Sequence, residues 1–243
     1  MPEDYFDEPV AARYDDDESG MFAAEAVEPA VDFLAGLAGD GAALEFAIGT
    51  GRIGLPLSRR GVSVRGIDLS VAMVARLTAK PGGEKIGATI GDIASTRVEG
   101  EYRLVYLVFN TISNLTTQDA QVDCFCNAAA HLVPGGCFVI ENGVPGLQRL
   151  QPGETVVPFS VTASHLGFDE YDVVSQGMVS HHYYFAGGRA EVNSTPFRYV
   201  WPAELDLMAR IAGMRLRERW SNWHRAPFTA LSASHVSVWE KVA

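Results

Sequence analysis

A glycine-rich turn and the carboxylate that follows it are the first features of this 243-residue sequence with clear chemical meaning. Residues 49–54 read G-x-G-x-x-G and come directly after a short apolar run, residues 42–48. Glycines at such a position let the backbone turn tightly and approach a ligand closely. Asp68 lies nineteen residues after Gly49, where a carboxylate can accept hydrogen bonds from both hydroxyls of a ribose.

Two further polar segments follow apolar runs in the same way. Gly91-Asp92-Ile93 comes after residues 86–90, and Phe109-Asn110-Thr111 comes at the end of the apolar run that starts at residue 102. Ligands in open α/β sheets bind beyond the carboxyl ends of the strands, so we expect the four segments to meet in one site. The Asp92 segment is placed to meet the edge of an adenine. The glycine spacing alone is shared with dinucleotide-binding enzymes and does not identify the ligand.

Alternating strands and helices are predicted to position these segments. Strands are expected over residues 42–48, 62–67, 86–90, 102–109 and 137–141, and helices over residues 21–37, 52–60, 70–79 and 117–132. Ser70 is expected to cap the third of these helices. Such an alternation builds a mostly parallel sheet with helices on both faces.

The pattern changes after residue 143. Residues 143–160 are predicted to form a loop, and residues 171–185 and 189–201 an antiparallel hairpin joined through two glycines. Residues 202–211 are predicted to form a helix with Gly213 as its C-terminal cap, followed by strands over residues 215–220 and 236–242. The fold class is therefore α/β: a Rossmann-like sheet with a small antiparallel β insertion after the fifth strand.

The chain divides on this basis into four predicted parts. They are an acidic and helical N-terminal cap (residues 1–40), a ligand-binding core (41–142), an inserted loop and antiparallel lid (143–200), and a helix and strands that complete the core sheet (201–243).

Three of the segments carry a resemblance to a known family. Residues 44–54, Gly66-Ile-Asp68-Leu-Ser70 with Met73, and Gly91-Asp92-Ile93 resemble the successive signatures of class I S-adenosylmethionine-dependent methyltransferases, in their small-molecule branch. The resemblance implies seven strands with the last one antiparallel. It also implies S-adenosyl-L-methionine as the cofactor and S-adenosyl-L-homocysteine as its product. The cofactor-binding residues that it implies are Tyr14, Glu45, Gly49, Thr50, Gly51, Asp68, Leu69, Met73, Gly91, Asp92, Ile93, Phe109 and Asn110.

Two positions qualify the resemblance. Ala47 stands where the family pattern D/E-x-G-x-G-x-G has its first glycine, which adds a methyl group close to the methionine portion of the donor. Tyr14, in Ala-Arg-Tyr-Asp, is similar to the N-terminal segment that folds over the donor in small-molecule members of the family.

The acceptor side offers four candidate catalytic residues. His181, His182 and Tyr183 belong to a His-His-Tyr-Tyr run in the predicted hairpin, and Glu141 ends the fifth strand. In a strand, His181 and Tyr183 face one way, while His182 and Tyr184 face the other. Only one pair can look into a pocket, and the sequence does not choose between them. A hydroxyl or phenol acceptor benefits from a nearby base, whereas an amine needs only to arrive unprotonated.

Charge and composition limit the partners. The chain has 19 Lys+Arg against 30 Asp+Glu, and eight acidic residues lie among its first twenty, so nucleic acid is not expected. No membrane is expected because no run of eighteen apolar residues occurs, and a cytoplasmic location follows. Three cysteines without ligand spacing predict free thiols and no metal. A homo-oligomer is left open.

The sequence thus predicts a methyltransferase that acts on a nitrogen or oxygen of a small molecule. One alternative is an NAD-dependent oxidoreductase, which would need a second nucleotide-binding half that the sequence lacks. The other is a non-catalytic module that keeps the methyltransferase fold for protein interaction. Retention of Gly49, Asp68 and Asp92 argues against that module.

Overall fold

The chain folds around two β-sheets in the computed structural model, which describes residues 5–15 and 20–242. In chain order the strands are β1 (Ala43–Phe46), β2 (Val64–Asp68), β3 (Gly87–Ile90), β4 (Tyr102–Leu107), β5 (Leu132–Gly143), β6 (Val156–Val161), β7 (His165–Asp172), β8 (Gly177–Ala186), β9 (Arg189–Arg198), β10 (Met214–Trp220) and β11 (Ser234–Lys241). The helices are α1 (Glu8–Arg13), α2 (Ala24–Ala38), α3 (Gly54–Arg59), α4 (Val71–Ala79), α5 (Gln118–His131) and α6 (Pro202–Ile211).

The main sheet has seven strands in the order β10-β11-β5-β4-β1-β2-β3. Strands β1 to β5 run parallel to one another, and β11 runs antiparallel to both β5 and β10. The predicted α/β class and the antiparallel last strand are both confirmed. Strand order reverses between β1 and β4, which is where such sheets open a ligand-binding crevice.

Apolar side chains cover both faces of this sheet, which explains why its strands read as unbroken apolar runs. On one face α2 buries Val31 and Leu34 completely against the strands. On the other face α5 and α6 bury Phe125 and Met208, with Trp239 of β11 in the same cluster. Burial of such side chains stabilises the fold by roughly 1.5–3 kcal/mol each.

The predicted helix boundaries agree closely with the structure. Ser70 caps α4 by accepting a hydrogen bond from the Met73 amide at 3.3 Å, and α6 covers the predicted residues 202–211. Gly213 follows α6 with φ +75°, as expected for a residue that ends a helix. One strand is longer than predicted, because β5 begins at Leu132 and continues through the Pro-Gly-Gly segment.

The second sheet, which we call the lid sheet, has the order β6-β7-β8-β9 with every pair antiparallel. The predicted hairpin is confirmed as β8 and β9, and Gly187 and Gly188 turn between them at positive φ. The predicted loop over residues 143–160 is wrong, because it contains β6 and a 3₁₀ turn at Gly146–Arg149. Tyr171 belongs to β7. Pro158 lies in β6, and proline is tolerated there because β6 is an edge strand with a bulge after Pro158.

A buried polar network attaches the lid sheet to the core. Arg198 at the end of β9 forms an ion pair with Glu204 of α6 at 2.8 Å and donates to Gln121 of α5 at 2.5 Å. Gln176, in the turn before β8, donates to the same Glu204 at 2.8 Å. The lid sheet is therefore fixed to the two helices at one end.

Two negative findings apply to the part of the chain that the structure describes. No helix there is long and apolar enough to cross a membrane. No group of three or more His, Cys, Asp or Glu in these residues is arranged to hold a metal ion. Eight residues of the predicted acidic cap lie outside the described residues, among them five acidic ones: Glu3, Asp4, Asp16, Asp17 and Glu18.

Candidate functional site

The turn after β1 brings the glycine segment against the end of β2. The Gly49 amide donates a hydrogen bond to Oδ2 of Asp68 at 2.6 Å, with Gly49 at φ +54°. Oδ1 of Asp68 accepts from the Ser70 amide at 2.8 Å, so the carboxylate is held by two backbone groups. Ala47 also has φ +54°, a left-handed conformation that glycine adopts at lower cost. The residue that departs from the family pattern is therefore under backbone strain.

The segment after β3 lies beside this carboxylate. The Gly91 amide donates to the Asp68 carbonyl at 2.8 Å, and Oδ1 of Asp92 accepts from the Ala94 amide at 2.8 Å. Asn127 of α5 donates to the Ile93 carbonyl at 2.7 Å, which ties the segment to the core. The ends of β1, β2 and β3 thus meet, as the sequence predicted.

These three strand ends line a cavity that we call the first cavity. It contains about 850 Å³ of empty space, its opening to solvent included. Eight of the predicted cofactor-binding residues lie on its wall: Tyr14, Gly49, Asp68, Leu69, Met73, Gly91, Asp92 and Ile93. Thr111, from the fourth predicted segment, also lies on this wall with Ala47 and Ser70; the sequence did not point to the remaining wall residues, Tyr5, Phe6, Asn114, Leu115 and Thr195.

Five predicted cofactor-binding residues do not lie on this wall: Phe109 and Asn110, which line a second cavity described below, and three that lie behind the turn. Glu45 is 2% exposed beneath the turn and accepts from the Tyr106 hydroxyl at 2.9 Å, and burial raises the pKa of Glu45 to about 8. Gly51 packs against α4, because a Cβ there would lie 2.4 Å from Cδ1 of Leu77. Thr50 is buried and its hydroxyl donates to Oδ1 of Asp15 at 2.6 Å. All three support the turn from behind.

The N-terminal segment, residues 5–15, closes over the first cavity. Asp15, already bonded to Thr50, also pairs with Lys80 at 2.7 Å, and the Ser70 hydroxyl donates to the Phe6 carbonyl at 2.5 Å. Tyr14 follows α1, and burial raises the pKa of its phenol. Tyr14 itself lines the first cavity.

A second cavity adjoins the first and contains about 1180 Å³ of empty space, its solvent-open part included. Phe6, Tyr14, Thr111 and Asn114 line both cavities. The ends of β4 and β5 form one wall of the second cavity, where the predicted residues Phe109 and Asn110 lie. The lid sheet forms the opposite wall through Phe159, Asp169, Tyr171, Met178, Ser180, Phe197 and Tyr199.

Glu141 supports the second cavity without lining it. Its Oε2 accepts from the Phe109 amide at 3.0 Å, and its Oε1 accepts from Nε1 of Trp223 at 2.8 Å. Phe109 and Asn110 are both left-handed, with φ +56° and +60°, and Oδ1 of Asn110 accepts from the Gly143 amide at 2.6 Å. Glu141 therefore holds a strained turn in place, and no described contact directs its carboxylate to the cavity.

The lid sheet turns one face of β8 towards the second cavity, but neither His181 nor His182 lines that cavity. Met178 and Ser180 line that cavity, so His182 and Tyr184 share their face of β8. His182 approaches His165 at 3.0 Å between ring nitrogens. His181 and Tyr183 lie on the opposite face and pack against Phe168, and His181 forms a hydrogen bond with Ser194 at 2.8 Å. These two candidate catalytic residues are therefore turned away from the cavity.

Comparisons with known proteins agree with this architecture. A family model described as a methyltransferase domain matches residues 43–136. The solved structure of the CcbJ methyltransferase from Streptomyces caelestis is 36% identical, with a TM-score of 0.80 over 88% of this chain and 89% of that one. The cypemycin N-terminal methyltransferase from Streptomyces sp is 25% identical over 205 residues, which cover 82% of each chain.

A further solved structure shares the fold alone. It is the S-adenosylmethionine-bound CalS10, an amino pentose methyltransferase from Micromonospora echinaspora, at 18% identity and a TM-score of 0.71 over 100% of each chain. Sheet order, strand-end cavity and sequence identity over most of the chain lead to one conclusion: the chain belongs to the class I S-adenosylmethionine-dependent methyltransferases.

Proposed function

We propose that this enzyme transfers a methyl group to a nitrogen or oxygen atom of a small molecule held in the second cavity. One observation carries the proposal: the second cavity adjoins the first, and the lid sheet covers it with aromatic side chains. A cavity of this size suits a small organic molecule, and its apolar wall with a few polar groups is typical of such sites. From these features we infer that the acceptor is a small molecule.

We infer that the first cavity holds the donor. Its wall combines apolar side chains suited to an adenine ring, such as Leu69 and Ile93, with the carboxylates of Asp68 and Asp92. A carboxylate oxygen accepts more than one hydrogen bond, so Asp68 can serve a ribose as well as the Gly49 amide. These residues fit the group, and in this proposal Phe109 and Asn110 line the passage to the acceptor.

The chain contributes to the reaction mainly by alignment. S-adenosylmethionine, when bound, supplies an electrophilic methyl group on its sulfonium. Orienting two reactants in adjoining sites contributes roughly 7–11 kcal/mol to a displacement of this kind. Tyr14 and Asn114 line both cavities and are placed to shape the junction, and the N-terminal segment excludes water from it.

A nitrogen acceptor is favoured over an oxygen acceptor. The names of two relatives, an N-terminal methyltransferase and an amino pentose methyltransferase, concern amines. The second cavity also lacks a histidine on its wall among the described residues, and a hydroxyl acceptor would benefit from such a base.

Calorimetric titration tests the donor assignment. We expect the wild-type chain to bind S-adenosylmethionine and S-adenosylhomocysteine, and not NAD⁺ or NADH. Asp68→Ala is expected to weaken binding of both adenosyl compounds by about 1–3 kcal/mol, because ribose hydroxyls lose a charged acceptor. Unchanged affinity in a folded variant would remove Asp68 from the site. Failure of the wild type to bind either adenosyl compound would overturn the proposed function.

A further inference from the structure

The wall of the second cavity carries one carboxylate among many aromatic rings. Asp169 is the sole acidic residue among the described residues that line it, and no lysine or arginine among them does so. The rings around it belong to Phe6, Tyr14, Phe109, Phe159, Tyr171, Phe197 and Tyr199. A carboxylate and the faces of aromatic rings both attract a cation, so this wall is suited to a positively charged group.

Strand register places Asp169 in a row of lid-sheet side chains that ends at the first cavity. Asp169 of β7 pairs with Ser180 of β8, and Ser180 pairs with Thr195 of β9. The three side chains therefore share one face of the lid sheet. Asp169 and Ser180 line the second cavity, whereas Thr195 lines the first. This row of the lid sheet spans the distance between the two cavities.

The surroundings of Asp169 prepare its carboxylate to accept a proton. Burial raises its pKa above the ordinary value, and this effect outweighs the opposing hydrogen bond from Ser180. Burial and the neighbouring His165 in turn lower the pKa of His182. Nε2 of His182 lies 3.4 Å from the Ser180 hydroxyl, which keeps that hydroxyl beside Asp169.

We propose that Asp169 binds the protonated amine of the acceptor and takes one proton from it before methyl transfer. This inference rests on the proposed function. The Asp169 carboxylate accepts a proton from the ammonium group, which leaves a lone pair on nitrogen. That lone pair forms the new N–C bond, and the electron pair of the breaking C–S bond stays on sulfur. The product leaves as an N-methylammonium, and the proton on Asp169 passes to solvent.

A matched pair of ring compounds tests the binding step. Cyclohexylamine is an ammonium ion at pH 7.5, whereas cyclohexanol has a similar shape and no charge. Each is titrated into the enzyme saturated with S-adenosylhomocysteine. We expect the wild type to bind cyclohexylamine at least tenfold more tightly than cyclohexanol, and Asp169→Asn to bring the two dissociation constants within twofold of each other.

The control is Glu170→Gln, which removes an acid from the next residue of β7, on the opposite face of the lid sheet. It should keep the wild-type preference. S-adenosylhomocysteine affinity reports the fold of each variant and should stay within twofold of the wild type. Equal binding of the two ring compounds, no measurable binding of cyclohexylamine, or a preference that survives in Asp169→Asn would overturn the inference. If the wild type does not bind S-adenosylhomocysteine, the proposed function itself is refuted.

Discussion

At the scale of single residues, Ala47 occupies a backbone position that favours glycine. Its φ of +54° places Cβ close to the carbonyl oxygen, at a cost of about 1–2 kcal/mol relative to glycine. Ala47 also lines the first cavity, so its methyl group narrows the space that the donor is proposed to occupy. The alanine at position 47 therefore affects both the stability of the fold and the affinity for the donor.

We expect Ala47→Gly to raise the free energy of unfolding by roughly 0.5–1 kcal/mol, because relief of strain exceeds the added entropy of the unfolded chain. Affinity for S-adenosylhomocysteine should rise or stay unchanged. Ala43→Gly is the control. Because Ala43 lies within β1, this variant should have a free energy of unfolding lower by roughly 0.5–1 kcal/mol. Denaturant unfolding and calorimetry measure both quantities, and destabilisation by Ala47→Gly would contradict the strain argument.

At the scale of elements, Glu141 decides how the end of β5 shapes the turn after β4. Its two oxygens accept from the Phe109 amide and from Trp223, and Phe109 stacks under the guanidinium of Arg52 at 5.0 Å. Two consecutive left-handed residues other than glycine persist only where their surroundings determine them. Glu141 is thus a support of the cavity wall, although its place at a strand end had suggested a catalytic role.

Glu141→Gln separates the two roles. The amide nitrogen that replaces one oxygen cannot accept, so either the exposed Phe109 amide or the partly buried Trp223 indole loses its partner, and we expect the free energy of unfolding to fall by about 0.5–1.5 kcal/mol. Glu240→Gln, on β11, removes an acid from partly exposed ion pairs with two arginines and should cost less than about 1 kcal/mol. Chemical denaturation compares the two. Wild-type stability in Glu141→Gln would restore a purely catalytic interpretation.

At the scale of the whole molecule, the core sheet was predictable from sequence and the lid sheet only in part. Buried parallel strands are visible in the sequence as apolar runs, and the ends of these runs predicted the ends of β1, β2 and β3. The lid strands are half-exposed and lack such runs, and because β6 contains Pro158 it was predicted as part of a loop. Without β7, the partner of Ser180 was unknown, so the face of β8 stayed undecided and Asp169 was not found. Register between distant strands is a tertiary property that short sequence patterns do not contain.

The N-terminal segment links the two ends of the donor site across the molecule. Asp15 joins Thr50 in the glycine turn to Lys80 after α4, and both side chains of the Asp15–Lys80 pair are about one-third exposed. Opening this segment would uncover Tyr14 and the first cavity together. The rate at which the segment opens should therefore limit the release of S-adenosylhomocysteine.

We expect Asp15→Asn to speed S-adenosylhomocysteine dissociation by about three- to tenfold, since loss of a half-buried ion pair of about 1 kcal/mol makes opening more frequent. Stopped-flow displacement measures this rate. The control is Glu8→Gln, which removes a more exposed ion pair with Arg76 in the same segment and should change the rate less than twofold. Equal acceleration by both variants would point to the net charge of the segment, and no acceleration by Asp15→Asn would mean that another step limits release.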